Sequence, residues 1–509
     1  MKRILGFHTQ LLIIYLFQKD ISKNLFTISL LLRFMSYRGA MRTLATLSLM
    51  LIVVNYVETM VIPALPKIED QFSVSATTVA WITSAYLIVG AVASPIFGKL
   101  GDRYGKKRIY LLAIGFYSLA VLLAGFSTNI YMLIFARAIQ GLGFAVFPIA
   151  IAIITDLFPK ERVAWAQGIL SATLALGPAL GLLIGSYIVE DLGWPYAFHS
   201  AFVLSLILLF LSMKFVEDIP SKTKERIDYL GATFLMISVV SFLVYLTDGP
   251  NSGWLSFSQI VLLIISIISL GAFIGVERKA IEPLMKLDLF RIRNIMVANV
   301  AGLISGIAMF LMFIGLTYYA QLPTPYGLGL SIIGAGLLMA PVALTMMVVG
   351  PIVGRLINNV GPKPLLILGS LIGVIGFILL NTFNSTDDQV LMDTVVASVG
   401  VISIVIPLVN MVAVSLPEEQ RGVGIGMNTL IRTIGSSIGP VIATVFMDTY
   451  TAWIVDIVNN QFIPIASVPS FTAFHWIYIT GMVLMILNLI VSLATRNYVI
   501  KTSVRTAGH

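Results

Sequence analysis

The chain has no cysteine. Disulfides, thiol nucleophiles and cysteine-bound metals are therefore excluded. Histidine is nearly as scarce. His8, His199, His475 and His509 lie far apart and offer no ligand spacing, so no metal site is expected. Charge is sparse as well: Asp, Glu, Lys and Arg make up 11% of the 509 residues, against about a quarter in a soluble chain. No glycine-rich loop ends in Gly-Lys-Ser or Gly-Lys-Thr, so no nucleotide-driven motor is expected. The dispersed histidines also speak against a membrane acyl or lipid transferase.

What the chain has in quantity is apolar surface. Hydrophobic residues reach 58% and the mean hydropathy is +0.96. A membrane span needs about 20 apolar residues. Fourteen candidate spans can be counted, at about 43–63, 78–98, 108–126, 129–155, 163–188, 196–215, 229–247, 257–277, 295–318, 330–353, 364–382, 391–415, 423–446 and 471–494. The expected fold class is an all-α polytopic membrane protein. Leu11–Phe17 and Leu25–Met35 are too short to span, and Lys19, Lys23 and Arg33 interrupt them. No small-residue cleavage site follows. Residues 1–40 therefore read as an amphipathic cytoplasmic extension, or as an upstream start to a protein that begins at Met41.

The bases fix the orientation. Of 32 lysines and arginines, 29 fall in the termini and the even-numbered loops. The odd-numbered loops hold only Lys67, while Arg137 and Arg432 lie inside spans. Bases collect on the cytoplasmic side, so both termini are expected in the cytoplasm and the protein in the plasma membrane. The net charge of +8 is then an orientation signal, and no nucleic-acid partner is expected.

The chain also repeats itself. Gly354-Arg-Leu-Ile-Asn-Asn-Val-Gly361-Pro-Lys363 echoes the run that starts at Gly98. Leu416-Pro417-Glu-Glu-Gln-Arg421 echoes Leu157-Phe-Pro159-Lys-Glu-Arg162, and Gly439-Pro440 echoes Gly177-Pro178. The separation is nearly constant, which implies two homologous bundles of six spans, over 41–217 and 295–496. Two further spans, within 218–294, are inserted between them, and 497–509 form a cytoplasmic tail. Parallel halves of this kind suit a carrier that exposes one midplane site to each side in turn.

Gly98-Lys-Leu-Gly-Asp-Arg-Tyr-Gly-Lys-Lys-Arg108 joins two of the spans. Gly98 lets the span ends approach closely, and Gly105 can take the left-handed conformation that ends a helix or makes a turn. An ordinary basic loop would need the charges but not the glycines or the aspartate. The run resembles the cytoplasmic loop signature of the major facilitator superfamily, with Gly98, Asp102, Arg103, Gly105, Lys106 and Arg108 in its positions. By that resemblance Asp156, at the end of span 4, pairs with a base of this turn, and Asp102 sits against the amino end of span 13. Together they form a cytoplasmic latch.

Ionisable groups inside spans are costly and point to function. Glu58 shares a helical face with Asn55 and Thr59. A buried carboxyl can take a proton from one side and release it on the other; the alternative is a structural carboxylate. Arg137, with Gln140, Gly141 and Phe144 on its face, is similar to the superfamily's fourth-span motif, which implies a part in proton coupling, or else a structural ion pair. Arg432, with Asn428, Gly435 and Gly439 nearby, lies in a stretch that resembles fourteen-span drug:proton antiporters. It either lines the cavity or pairs structurally. Gly168, Gly177, Pro178 and Gly181 resemble the fifth-span antiporter motif, although Thr173 and Leu182 stand where glycines are usual. Ordinary small-residue packing would leave the same pattern. Thr59-Met-Val-Ile-Pro-Ala-Leu-Pro66 is similar to the branch's first-span signature, with Val57 at the usual acid position and Glu58 one place later. Trp81, Tyr86, Phe144, Phe147, Tyr318 and Tyr319 could line an apolar cavity.

The resemblance implies a proton-coupled antiporter, most simply a monomer. It would export small organic compounds on the proton gradient, with no bound cofactor. A proton symporter or metabolite exchanger of the same fold, and a sensor that binds without transport, remain open alternatives.

Overall fold

The computed structural model of the chain describes residues 38–218, 228–382, 384–458 and 461–498. Fourteen of the described helices are long and apolar enough to cross a membrane. They are span 1 (Arg38–Phe72), span 2 (Ala76–Tyr104), span 3 (Lys106–Gly125), span 4 (Ile130–Leu157), span 5 (Glu161–Asp191), span 6 (Trp194–Phe215), span 7 (Tyr229–Ser252), span 8 (Phe257–Glu277), span 9 (Arg293–Gln321), span 10 (Ile332–Val360), span 11 (Pro362–Thr382), span 12 (Asp387–Ser415), span 13 (Gln420–Thr449) and span 14 (Phe471–Leu493). The expected extension at 1–40 lies outside the described residues except for its last three, which open span 1. The end of the tail, from residue 499, also lies outside them.

Several helices outrun the apolar runs that announced them. Span 1 continues past residue 63 because a 3-10 turn, Ile62–Ala64, leads into a further α-helical stretch, Leu65–Phe72. Each of these starts with a proline in its first turn, where the missing N–H costs nothing. Span 4 passes through another 3-10 turn, Gly141–Ala145. Side-chain oxygens of Ser75, Asn129, Ser331 and Thr386 accept backbone N–H groups at the starts of spans 2, 4, 10 and 12. All four starts lie on the face away from the basic loops.

Spans 1–6 make one bundle, spans 9–14 a second, and spans 7 and 8 are inserted between them. Matching single-glycine turns mark the repeat. Gly105 (φ 101°) joins span 2 to span 3, and Gly361 (φ 82°) joins span 10 to span 11. A side chain at either position would strain the backbone. Glycines also set the approach of helices within each bundle. A Cβ at Gly177, Gly181 or Gly185 of span 5 would run into Ile52–Met60 of span 1. A Cβ at Gly435 or Gly439 of span 13 would run into the span 9 backbone between Leu303 and Leu311.

The inserted spans are clasped to each other by a reciprocal pair. Ser238 Oγ donates to the Ser266 carbonyl and Ser266 Oγ to that of Ser238, both at 2.9 Å. Span 7 then packs Leu243 in one apolar cluster with Ala80 and Ile88 of span 2 and Val441 of span 13.

Hydropathy did not foretell one element. Between spans 13 and 14 the chain forms an antiparallel hairpin, β1 (Thr451–Val458) and β2 (Gln461–Pro469), with a register shift at Ile454/Val455. Tyr326, from the connection between spans 9 and 10, donates to the carbonyl of Trp453 at 3.2 Å.

Candidate functional site at the seam between the bundles

Span 1 is buried almost without a break from Met50 to Leu65; only Ile52 and Glu58 keep accessible surface. An acid with water access inside a buried stretch faces an internal space, and here that space is the seam between the bundles. The two charges that act on Glu58 are Arg137 of its own bundle and Arg432 of the other. Neither guanidinium forms an ion pair with it within 4.0 Å among the described residues.

The two arginines are held differently. Arg137 is fully buried. Its Nε donates to the Ile82 carbonyl at 3.0 Å, and one terminal nitrogen donates to the Val57 carbonyl at 3.3 Å and to Gln140 Oε1 at 2.9 Å. Gln140 is held in turn by its own donation to the Ala120 carbonyl at 3.1 Å. The guanidinium also lies 4.3 Å from the Tyr86 ring centroid, a favourable cation–π position. Arg137 thus ties spans 1, 2 and 4 together with neutral oxygens. Gly141 makes this possible, since a Cβ there would strike the Tyr86 carbonyl and Gly90 of span 2. Arg432 is half-buried, and its guanidinium has no hydrogen-bond partner among the described residues.

The other residues singled out in the sequence divide into groups. Asn55 does not join Glu58: its amide donates to the Leu51 carbonyl at 2.7 Å, within span 1. Thr59 donates to the Pro178 carbonyl of span 5 at 3.1 Å. The shared helical face therefore splits, with Asn55 and Thr59 packed on the span 5 glycines and Glu58 turned to the seam. Asn428 is buried and donates to the Ala298 carbonyl at 2.8 Å, so it holds span 13 to span 9 and does not line open space. Of the six aromatics, Tyr86 packs on Phe144 with centroids 5.1 Å apart. Tyr318 and Tyr319 lie elsewhere, at the outer ends of the spans.

Around the basic turn, Lys106 Nζ sits 2.6 Å from Asp156 and 3.6 Å from Asp102. Arg103 stacks on Tyr104, and Arg108 is exposed. Gly98 differs from expectation. Nothing lies within 4 Å of where its Cβ would be, and the same holds for Gly168, Gly422 and Gly426. These glycines do not bring helices together here, because the basic ends of spans 2, 5 and 13 stand apart on these faces.

The opposite face is closed. Five hydrogen bonds join the bundles there, a set that sequence reasoning missed. Ser84 Oγ donates to the Ser437 carbonyl at 2.8 Å, and the Thr77 N–H to Asp448 Oδ2 at 3.0 Å. Tyr318 donates to Glu69 Oε2 at 2.5 Å, Gln321 to the Pro63 carbonyl at 2.9 Å, and the Ile333 N–H to Glu190 Oε2 at 2.6 Å. Three of the five acceptors are side-chain carboxyl groups, those of Asp448, Glu69 and Glu190. The seam is thus shut on the face away from the basic loops, with Glu58 and Arg432 approaching it from opposite bundles.

The family model described as the Major Facilitator Superfamily matches residues 47–440 and 307–504. The chain is similar to the multidrug transporter protein MdtP of Bacillus subtilis, at 29% identity over 386 residues, 75% of this chain and 70% of that protein. It is likewise similar to the multidrug resistance protein Stp of Mycobacterium tuberculosis, at 27% identity over 379 residues, 74% of this chain and 70% of that one. Among solved structures, its fold is similar to a bacterial homologue of the human lysosomal transporter Spinster, with a TM-score of 0.62 and 13% identity over 90% of this chain and 96% of that one.

Proposed function

The chain belongs to the Major Facilitator Superfamily, and from that premise we propose that it is a proton-driven antiporter that exports small, amphipathic organic compounds. Relatives named as multidrug transporters support export of such compounds. The observation that carries the proton reading is Glu58. It is the acid of span 1 that keeps access to the seam, and it lies under the charges of one arginine from each bundle. In the described conformation the seam is shut on the face away from the basic loops. With those loops in the cytoplasm of a plasma-membrane carrier, Glu58 releases its proton inward as substrate enters. After the bundles rock, the outer side opens, substrate leaves and a proton returns to Glu58. Arg137 holds spans 1, 2 and 4 in register while this happens, and no bound cofactor or second subunit takes part.

The test is substrate-triggered proton release from purified protein in liposomes, with lipophilic cations, dyes and metabolites as candidate substrates. Proton release in the wild type that disappears in Glu58→Gln supports the reading. Release that survives the substitution removes Glu58 from the role. Uptake driven by an inward proton gradient, in place of efflux, would make the protein a symporter.

A further inference from the structure

Glu58 and Arg432 face the same seam from opposite bundles and share three properties. Each keeps accessible surface within its span. Each acts on the charge of the other. Neither has a hydrogen-bond or ion-pair partner within 4.0 Å among the described residues. Two opposite charges withdrawn from bulk water and left apart cost free energy that a bridging partner recovers. Arg137 is fully buried and turns no surface to that partner; backbone carbonyls, Gln140 and the Tyr86 ring hold it, and its second terminal nitrogen has no hydrogen-bond partner among the described residues.

We infer that the seam binds amphoteric molecules, with the substrate's cationic group on the Glu58 carboxylate and its anionic group on the Arg432 guanidinium. The guanidinium presents a planar fork of donors that suits a carboxylate or phosphate. The inference deepens the antiport reading and rests on it. A cationic group on Glu58 excludes the proton there, as exchange requires. The anionic group keeps the loaded site from carrying an uncompensated arginine. A substrate with only a cation would leave Arg432 unpaired and lose that contribution.

The test compares two dyes of one scaffold, rhodamine B, which carries a xanthene cation and a free carboxylate, and its ethyl ester, which keeps only the cation. Binding to the full chain in detergent is read by fluorescence anisotropy. The expected result is at least about tenfold tighter binding of rhodamine B, the scale of one charge-assisted hydrogen bond. Arg432→Gln should erase the preference, and Arg432→Lys should keep part of it, which separates a binding role from misfolding. Equal affinity of the wild type for both dyes, no binding of rhodamine B, or a preference that survives Arg432→Gln overturns the inference. Proton release is read on the same samples. A dye preference without proton release removes the antiport reading and leaves the dipolar site standing. Proton release without a preference does the reverse.

Discussion

Replacing Tyr318 by phenylalanine deletes one hydroxyl and leaves the ring in place. That hydroxyl is the donor to Glu69 at 2.5 Å, one of the five hydrogen bonds that close the face opposite the basic loops. A side-chain hydrogen bond contributes about 1 kcal/mol. The bond is made only when that face is shut, so its loss shifts the closed-to-open ratio by about fivefold towards open. The absence of cysteine makes the measurement clean, because labels attach only where cysteines are introduced. Asp191→Cys at the end of span 5 and Asp387→Cys at the start of span 12 place spin labels on exposed sites in the two bundles. Pulsed electron resonance on the labelled protein should show a longer-distance population in Tyr318→Phe. Tyr326→Phe serves as the control, since its partner Trp453 lies in the same bundle. An unchanged distance distribution in Tyr318→Phe would refute the view that these bonds hold the face shut.

Gly181→Val should lower the melting temperature markedly or prevent folding, because the added atoms meet Thr59 and the Tyr56 carbonyl of span 1, whereas Gly168→Ala, with nothing within 4 Å, should leave it within error. Gly105→Ala should cost about 1–2 kcal/mol from its positive φ, visible as a lower thermal midpoint in detergent. Arg137→Lys should reduce transport at least about tenfold in liposome flux assays, since one ammonium cannot reproduce the planar fork that serves Ile82, Val57 and Gln140 together. Ser238→Ala should cost about 1 kcal/mol by breaking half of the clasp between spans 7 and 8, with about as much again when Ser266→Ala removes the other half, read as successive drops in thermal midpoint.

The span count was legible because burial in lipid imposes a long apolar run on each helix, and the repeat was legible because Gly105 and Gly361 do the same backbone work in both copies. The hairpin at Thr451–Pro469 was less visible. Its signal, two β-branched stretches either side of Asn459-Asn460, is a strand pattern in a region that hydropathy scores only as a gap. Within the spans, the sequence singled out Glu58, Arg137 and Arg432 because charges there are rare. It placed Asn55 and Asn428 beside them because helical spacing gives a face without saying what that face meets. Asn55 meets span 5 and Asn428 meets span 9. The pairing of Glu69 with Tyr318 joins residues distant in sequence, and no local pattern encodes it.

Span 7 seats Leu243 against Ala80 and Ile88 of one bundle and Val441 of the other, so it covers the line where spans 2 and 13 meet. A twelve-span carrier would present that line directly to lipid tails. Here the bilayer is walled off from one flank of the seam, while the flank between spans 5 and 10 has no inserted helix over it. A lipophilic compound dissolved in the membrane therefore finds the two flanks unequal, and lateral entry from the acyl-chain region becomes one-sided. The added pair stands along that flank as a lipid baffle.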